Sequence, residues 1–234
     1  MKKRLSLLVA MTILIVSAIA QRRPTLSIGL QGAQPIGEFA KVYNGVPFGL
    51  SGQFLVPLNR NMPFELGVSY SWNSMGSKNQ DISVYIGTDE DGDDIYQNGT
   101  LYMNSNANRF ALVGRLRPFN GVLQPYGDLT AGVETFRTKT TIDVITDNTG
   151  YSEGNNAQTQ EFDMTTYYGW AAGMRIRLNT HLFLDMRFEN LAGGAATYVD
   201  SDSVVITSQE EISFDTKTSK TDKYTYTLGI TLGF

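Results

Sequence analysis

From Pro24 onward the chain repeats one pattern: an apolar side chain at every second position, with small or polar ones between. Successive side chains of a β-strand face opposite sides, so each such stretch has one apolar and one polar face. Eight segments follow it. Leu26, Ile28 and Leu30 alternate with Ser27, Gly29 and Gln31, and Phe48, Leu50, Phe54, Val56 and Leu58 share a face opposite Gly49, Ser51 and Gln53. Phe64, Leu66, Val68, Tyr70 and Trp72 oppose Glu65, Gly67, Ser69 and Ser71. In the fourth segment Phe110, Leu112, Gly114 and Leu116 oppose Arg109, Ala111, Val113, Arg115 and Arg117, and the arginines fix the parity that Ala111 and Val113 blur. Leu129, Ala131 and Val133 oppose Asp128, Thr130, Gly132 and Glu134, and Tyr168 to Leu178 alternates against Gly169, Gly173, Arg175 and Arg177. Leu182, Leu184, Met186 and Phe188 oppose Asp185, Arg187 and Glu189. The last segment, Tyr224 to Phe234, alternates without a break.

A soluble β-sandwich also alternates, its apolar face turned to a second sheet. Three features favour a membrane barrel instead. The polar face is rich in glycine and carries charges of both signs, as a narrow interior requires. The connections alternate in length: short near 59–61, 118–121 and 179–181, long near 35–46, 73–105, 136–163 and 191–222, the rhythm of periplasmic turns and external loops. Aromatic residues also gather at the ends of the apolar faces, Tyr70 and Trp72 at one level and Phe64 and Phe234 at the other, where rings suit the two lipid–water interfaces. An unpaired backbone group in hydrocarbon costs several kcal/mol. The first and last strands must therefore meet. The predicted fold is an all-β, transmembrane, eight-stranded antiparallel up-and-down barrel.

The segment ahead of the pattern is of another kind. Lys2, Lys3 and Arg4 precede an apolar stretch from Leu5 to Ala20 that ends in Ala18-Ile19-Ala20, the layout of a cleavable secretory signal. A spanning helix needs about 20 apolar residues, more than this stretch offers. Residues 1–20 thus read as signal peptide and 21–234 as one barrel domain. The chain has no cysteine, which closes the lipoprotein route and leaves neither disulfide nor thiolate metal site. Its net charge of −4 becomes more negative once the basic start is removed, which argues against nucleic acid as a partner.

Candidate chemistry lies in two places. Inward charges at Glu65, Arg109, Arg115, Arg117, Asp128, Glu134, Arg175, Arg177, Asp185, Arg187 and Glu189 can form an interlocked lumen network or line an ion path. An eight-stranded barrel is only wide enough for its own side chains, which favours the network. In the second long loop Asp89, Asp91 and Asp93 stand at alternate places, as at the start of a calcium loop. Asp94 then replaces the required glycine and Thr100 the required glutamate, so the readings are a cation site and a solvated acidic loop. The only histidine, His181, falls in a predicted short turn, where it reads as a solvated residue. No nucleophile–base pair or cofactor site stands out, so no enzyme is expected. In the fourth loop Val204, Val205 and Ile206 form an apolar run with β propensity, which suggests that the last hairpin continues above the membrane.

The alternation, the loop rhythm and the terminal Tyr224-Thr225-Tyr226-Thr227-Leu228-Gly229-Ile230-Thr231-Leu232-Gly233-Phe234 together resemble the small OmpA/OmpX-like outer-membrane β-barrel family, over essentially the whole mature chain. The resemblance is to the barrel alone, without a peptidoglycan-binding domain. It implies residence in the bacterial outer membrane, with its lipid as a partner. It also implies that the barrel-insertion machinery reads the Phe234-terminated strand during assembly. A further implication is an exposed sheet edge able to pair with an extracellular ligand, an adhesive role centred on 197–219. Protease and lipid-deacylase members of the family use histidines on the external side, unlike His181. A structural envelope role is the leading expectation; a small gated channel or a lipid-modifying barrel enzyme is the alternative.

Overall fold

The structure, a computed structural model, describes residues 23–43, 45–59, 62–89, 91–144, 158–199, 203, 205–206 and 212–234. The expected signal peptide and Val204 lie outside the described residues. The strands are β1 (Thr25–Pro35), β2 (Phe48–Pro57), β3 (Phe64–Thr88), β4 (Asp94–Leu116), β5 (Leu123–Val144), β6 (Gln158–Arg177), β7 (Leu182–Gly193), β8 (Ala195–Val199), β9 (Val205–Ile206), β10 (Ile212–Ser213), β11 (Thr216–Lys220) and β12 (Lys223–Gly233). One helical turn, α1 (Phe39–Val42), sits between β1 and β2.

Eight of these strands close a barrel in the order β1-β12-β7-β6-β5-β4-β3-β2. The seam is continuous: β1 and β12 pair antiparallel from Thr25 opposite Gly233 to Pro35 opposite Lys223. No backbone edge is left open in the spanning part, as a strand in hydrocarbon requires. Short turns join β2 to β3, β4 to β5 and β6 to β7 at one end. The long connections stand at the other.

Burial in this barrel is inside out. The large apolar side chains face outward, with Leu30 68%, Leu112 67% and Leu129 73% exposed, whereas Arg115, Arg175, Glu65 and Glu134 are at most 1% exposed. A soluble sandwich would show the opposite. Such a continuous apolar exterior is matched by hydrocarbon, not by water. Around its outer rim Trp170, Phe188, Tyr224 and Tyr226 pack ring to ring at centroid distances of 5.3–5.8 Å. The inward and outward faces are those expected from the alternation in the spanning strands, apart from Arg177 at the end of β6, which is exposed.

The described residues of two of the expected external loops are mostly sheet. β3 runs for 25 residues and β4 for 23, where about 9–11 cross a bilayer, so 73–105 is largely a paired hairpin rather than a loop. Of 136–163, the described residues are strand as well, and β5 and β6 stay paired out to Thr140 opposite Gln158. Once clear of lipid the backbone ladder no longer needs apolar partners, so pairing persists with no apolar alternation to announce it. β3 adjusts as it leaves the belt. Its register shifts between Ser74 and Gly76, and Gly76 adopts φ +140°, a bulge conformation open to glycine. The last hairpin also continues: β8 pairs with β11 and β9 with β10.

Candidate functional site

The lumen is the candidate site, and each inner side chain takes its height from its place on a strand. From the short-turn end upward, β5 presents Gln124, Tyr126, Asp128, Thr130 and Glu134 while β4 and the residue after it present Arg117, Arg115 and Arg109. The lowest layer ties Arg117 to the Glu65 carboxylate and to Gln124 Oε1. Above it the Arg115 guanidinium donates to both Asp128 oxygens at 2.7 and 2.8 Å and to Gln53 Oε1 at 2.7 Å. The same guanidinium lies 3.6 Å from the centroid of the Tyr126 ring.

That ring packs over Gly173, its cross-strand partner on β6, where a Cβ would come within 2.2 Å of Tyr126 Cζ. The Tyr126 hydroxyl donates to Asp185 Oδ1, and Asp185 Oδ2 accepts from Arg175 Nε at 3.0 Å and from Thr231 at 3.0 Å. Arg187 then bridges Asp128 at 3.2 Å and Glu189 at 2.8 Å. Arg109 donates to Ser71 and Gln31, and its Nη2 lies 3.7 Å from Glu189. At the top Lys223 pairs with Glu134.

A buried aromatic cluster caps the outer mouth over this column. Phe39 of α1 is fully buried among Tyr43, Phe136 and Tyr198, with ring centroids 5.2, 5.7 and 5.2 Å away. Met75, Ala107 and Ala196 complete the cluster. The Lys223 ammonium lies 5.7 and 5.5 Å from the Phe39 and Phe136 centroids, so the rings also face a cation. Separate segments of the chain contribute, and Asp163 of β6 holds β8 down by accepting from the Thr197 N–H at 2.6 Å.

Of the inward charges named from the sequence, ten are brought into this column: Glu65, Arg109, Arg115, Arg117, Asp128, Glu134, Arg175, Asp185, Arg187 and Glu189. Arg177 is a correction. As the final residue of β6 it is exposed at the lower mouth, donating to the Asn120 carbonyl at 2.5 Å beside the Phe183 ring, rather than pairing with a carboxylate in the column. Lys223 was missed because it lies just beyond the stretch assigned to the fourth loop. Gln31, Gln53, Gln124 and Tyr126 were also missed. Their inward parity was readable, but only the fold shows which charge each one meets.

The acidic loop and the histidine have structural partners. Asp89 Oδ1 accepts the backbone N–H groups of Asp91 and Asp93 at 3.0 and 2.8 Å, and with Gly92 at φ +91° this closes the β3–β4 hairpin. Among the described residues no group of three acidic, histidine or cysteine side chains is gathered as a metal site. His181 is more than a solvated turn residue: its Nδ1 lies 2.8 Å from the Gly233 carbonyl, and its own carbonyl accepts from the Gly233 N–H. It thereby ties the β6–β7 turn to the closing strand.

The remaining mid-lumen space, beside Ser51, Ser69, Gln53 and Arg187, amounts to about 40 Å³. That is room for about three waters.

No family model and no curated protein matches the sequence. Among solved structures the chain is similar to Ail, the attachment invasion locus protein of Yersinia pestis, at 15% identity over 92% of this chain and 99% of that one, with a TM-score of 0.43; that structure holds the heparin analogue sucrose octasulfate. It is also similar to a major outer membrane protein from Thermus thermophilus, at 11% identity over 90% and 99% of the two chains and a TM-score of 0.46. A third is the N-terminal β-barrel domain of Pseudomonas aeruginosa OprF, at 13% identity, 92% and 99% coverage and a TM-score of 0.35. The closed seam, the apolar exterior and the charged interior are properties of this chain itself, and they make it an eight-stranded transmembrane β-barrel of the outer-membrane type.

Proposed function

We propose that this chain is a non-conducting, non-catalytic barrel of the bacterial outer membrane that anchors an external sheet in the envelope. The observation that carries the reading is the filled lumen. Paired cationic and carboxylate groups occupy it from Arg117 up to Lys223, about 40 Å³ is left at mid-lumen, and an aromatic cluster covers its outer end. Buried charges held this way are costly to separate, which opposes a gated path between them. Planar-bilayer recording on the refolded full chain tests it. No unitary conductance is expected; reproducible openings abolished by removing the charge pairs would overturn it. Lipid analysis of a deletion strain tests the lipid-modifying alternative, and an unchanged acyl pattern is expected.

A second reading, contact with an extracellular partner, draws on the protruding hairpins. β3 to β6 continue well beyond the belt, and β3 loses its β2 neighbour after Ser74. The expected adhesive segment, 197–219, is tied into the cap through Tyr198, so deleting it would disturb the lumen closure as well. Removing the hairpin end 78–103 separates the two effects: loss of surface binding with an intact barrel supports the reading, and unchanged binding refutes it.

A further inference from the structure

The short-turn mouth of the barrel differs from the capped one in being open and basic. It forms a cavity of about 570 Å³ whose lining includes Arg23, Arg117, Arg175 and Arg177. Among the described residues no carboxylate side chain lines it. Two of its lining groups are buried yet incompletely paired: Arg175, 1% exposed, has no hydrogen-bond partner at Nη2, and Thr25, 4% exposed, has none at Oγ1. The lumen behind adds to the field. Its cations Arg109, Arg115, Arg117, Arg175, Arg187 and Lys223 outnumber Glu65, Asp128, Glu134, Asp185 and Glu189 by one.

We propose that this mouth binds a phosphate-bearing group. Arg177 and Arg23 stand at the rim with Arg175 deeper, so guanidinium forks reach the cavity from separate places, an arrangement suited to a tetrahedral, multiply charged oxyanion rather than to a single carboxylate. The cavity is far larger than a bare ion and falls within the size range of small-molecule sites, which indicates a phosphate ester. The mouth is also level with the end of the apolar belt at Phe64 and Phe234, the height at which lipid headgroup phosphates lie. A lipid headgroup and a free phosphate share the recognising chemistry, and the experiment separates them.

The full chain, refolded in a neutral glycoside detergent free of phosphate, is titrated calorimetrically with inorganic phosphate in one arm and short-chain phosphatidylglycerol in the other. Saturable binding in either arm is expected. The Arg23→Gln/Arg177→Gln variant should weaken it by about tenfold or more, since two charge-assisted contacts are lost. Both arginines lie outside the buried column, and retained folding is checked by migration on an unheated gel. Binding of inorganic phosphate marks a free anion as the ligand source, and binding of the lipid alone marks a headgroup. Absence of saturable binding in both arms, or equal affinity in the folded double variant, would overturn the proposal.

Discussion

Replacing Asp128 by alanine removes the carboxylate at the centre of the lumen column. Arg115 loses both of its contacts to Asp128, and Arg187 loses its 3.2 Å partner. Unit charges about 4 Å apart at an effective dielectric of about 20 interact by about 4 kcal/mol. Removing one partner of a buried pair costs about 3–5 kcal/mol, because the remaining charge stays out of water. Arg187 retains Glu189 at 2.8 Å, and Arg115 retains Gln53 and the Tyr126 ring, so a loss of about 3 kcal/mol is expected, at the lower end of that range. Urea unfolding in lipid vesicles, followed by the fluorescence of Trp72 and Trp170, measures it. The double variant Arg115→Met/Asp128→Ala removes the stranded cation and should recover part of the loss. A change below about 1 kcal/mol for Asp128→Ala, or a double variant as unstable as the sum of the singles, would refute the buried-pair reasoning.

Three further outcomes follow from the same geometry. A Cβ on Gly67 would meet the Phe54 carbonyl oxygen at 1.8 Å, whereas one on Gly114 would find only a leucine side chain at 3.6 Å, so Gly67→Ala should reduce the heat-modifiable folded fraction on a gel while Gly114→Ala leaves it unchanged. Phe39→Ala empties the centre of the cap and should release α1, accelerating trypsin cleavage after the exposed Lys41 without altering the unfolding midpoint of the barrel by a comparable degree. Leu129→Arg places a charge on the lipid face and should cost about 2–4 kcal/mol in vesicles if the site is near the midplane, while costing much less in a detergent that lets the side chain reach water.

The spanning sheet was legible because lipid imposes a rule on every second residue, and the strands obey it. Where Ala111 and Val113 weakened the alternation, Arg109, Arg115 and Arg117 still revealed which face was inward, since an arginine cannot face hydrocarbon cheaply. Beyond the belt that rule lapses. The Thr135–Lys139 stretch and the Ser- and Asn-rich 104–108 pair with each other without apolar alternation, so no period in the sequence announced them as strand. The cap was illegible for a different reason: Phe39, Phe136 and Tyr198 are isolated aromatics in distant segments, and a cluster assembled from single residues leaves no period in the sequence. Lys223 sits at the boundary between the two regimes, and its partner Glu134 lies across the lumen, a contact set by closure rather than by spacing.

The claim on which the rest depends is that β1 and β12 join to close the sheet. Ser27 and Thr231 are opposite each other across that seam, with side-chain oxygens 2.7 Å apart, and the chain has no native cysteine to interfere. The Ser27→Cys/Thr231→Cys variant, assembled in the outer membrane and treated with a short bifunctional thiol cross-linker, should form an intramolecular link in the folded, unheated species. Efficient folding with no such link, both thiols being reactive toward small reagents, would mean that the sheet is open and would contradict the account.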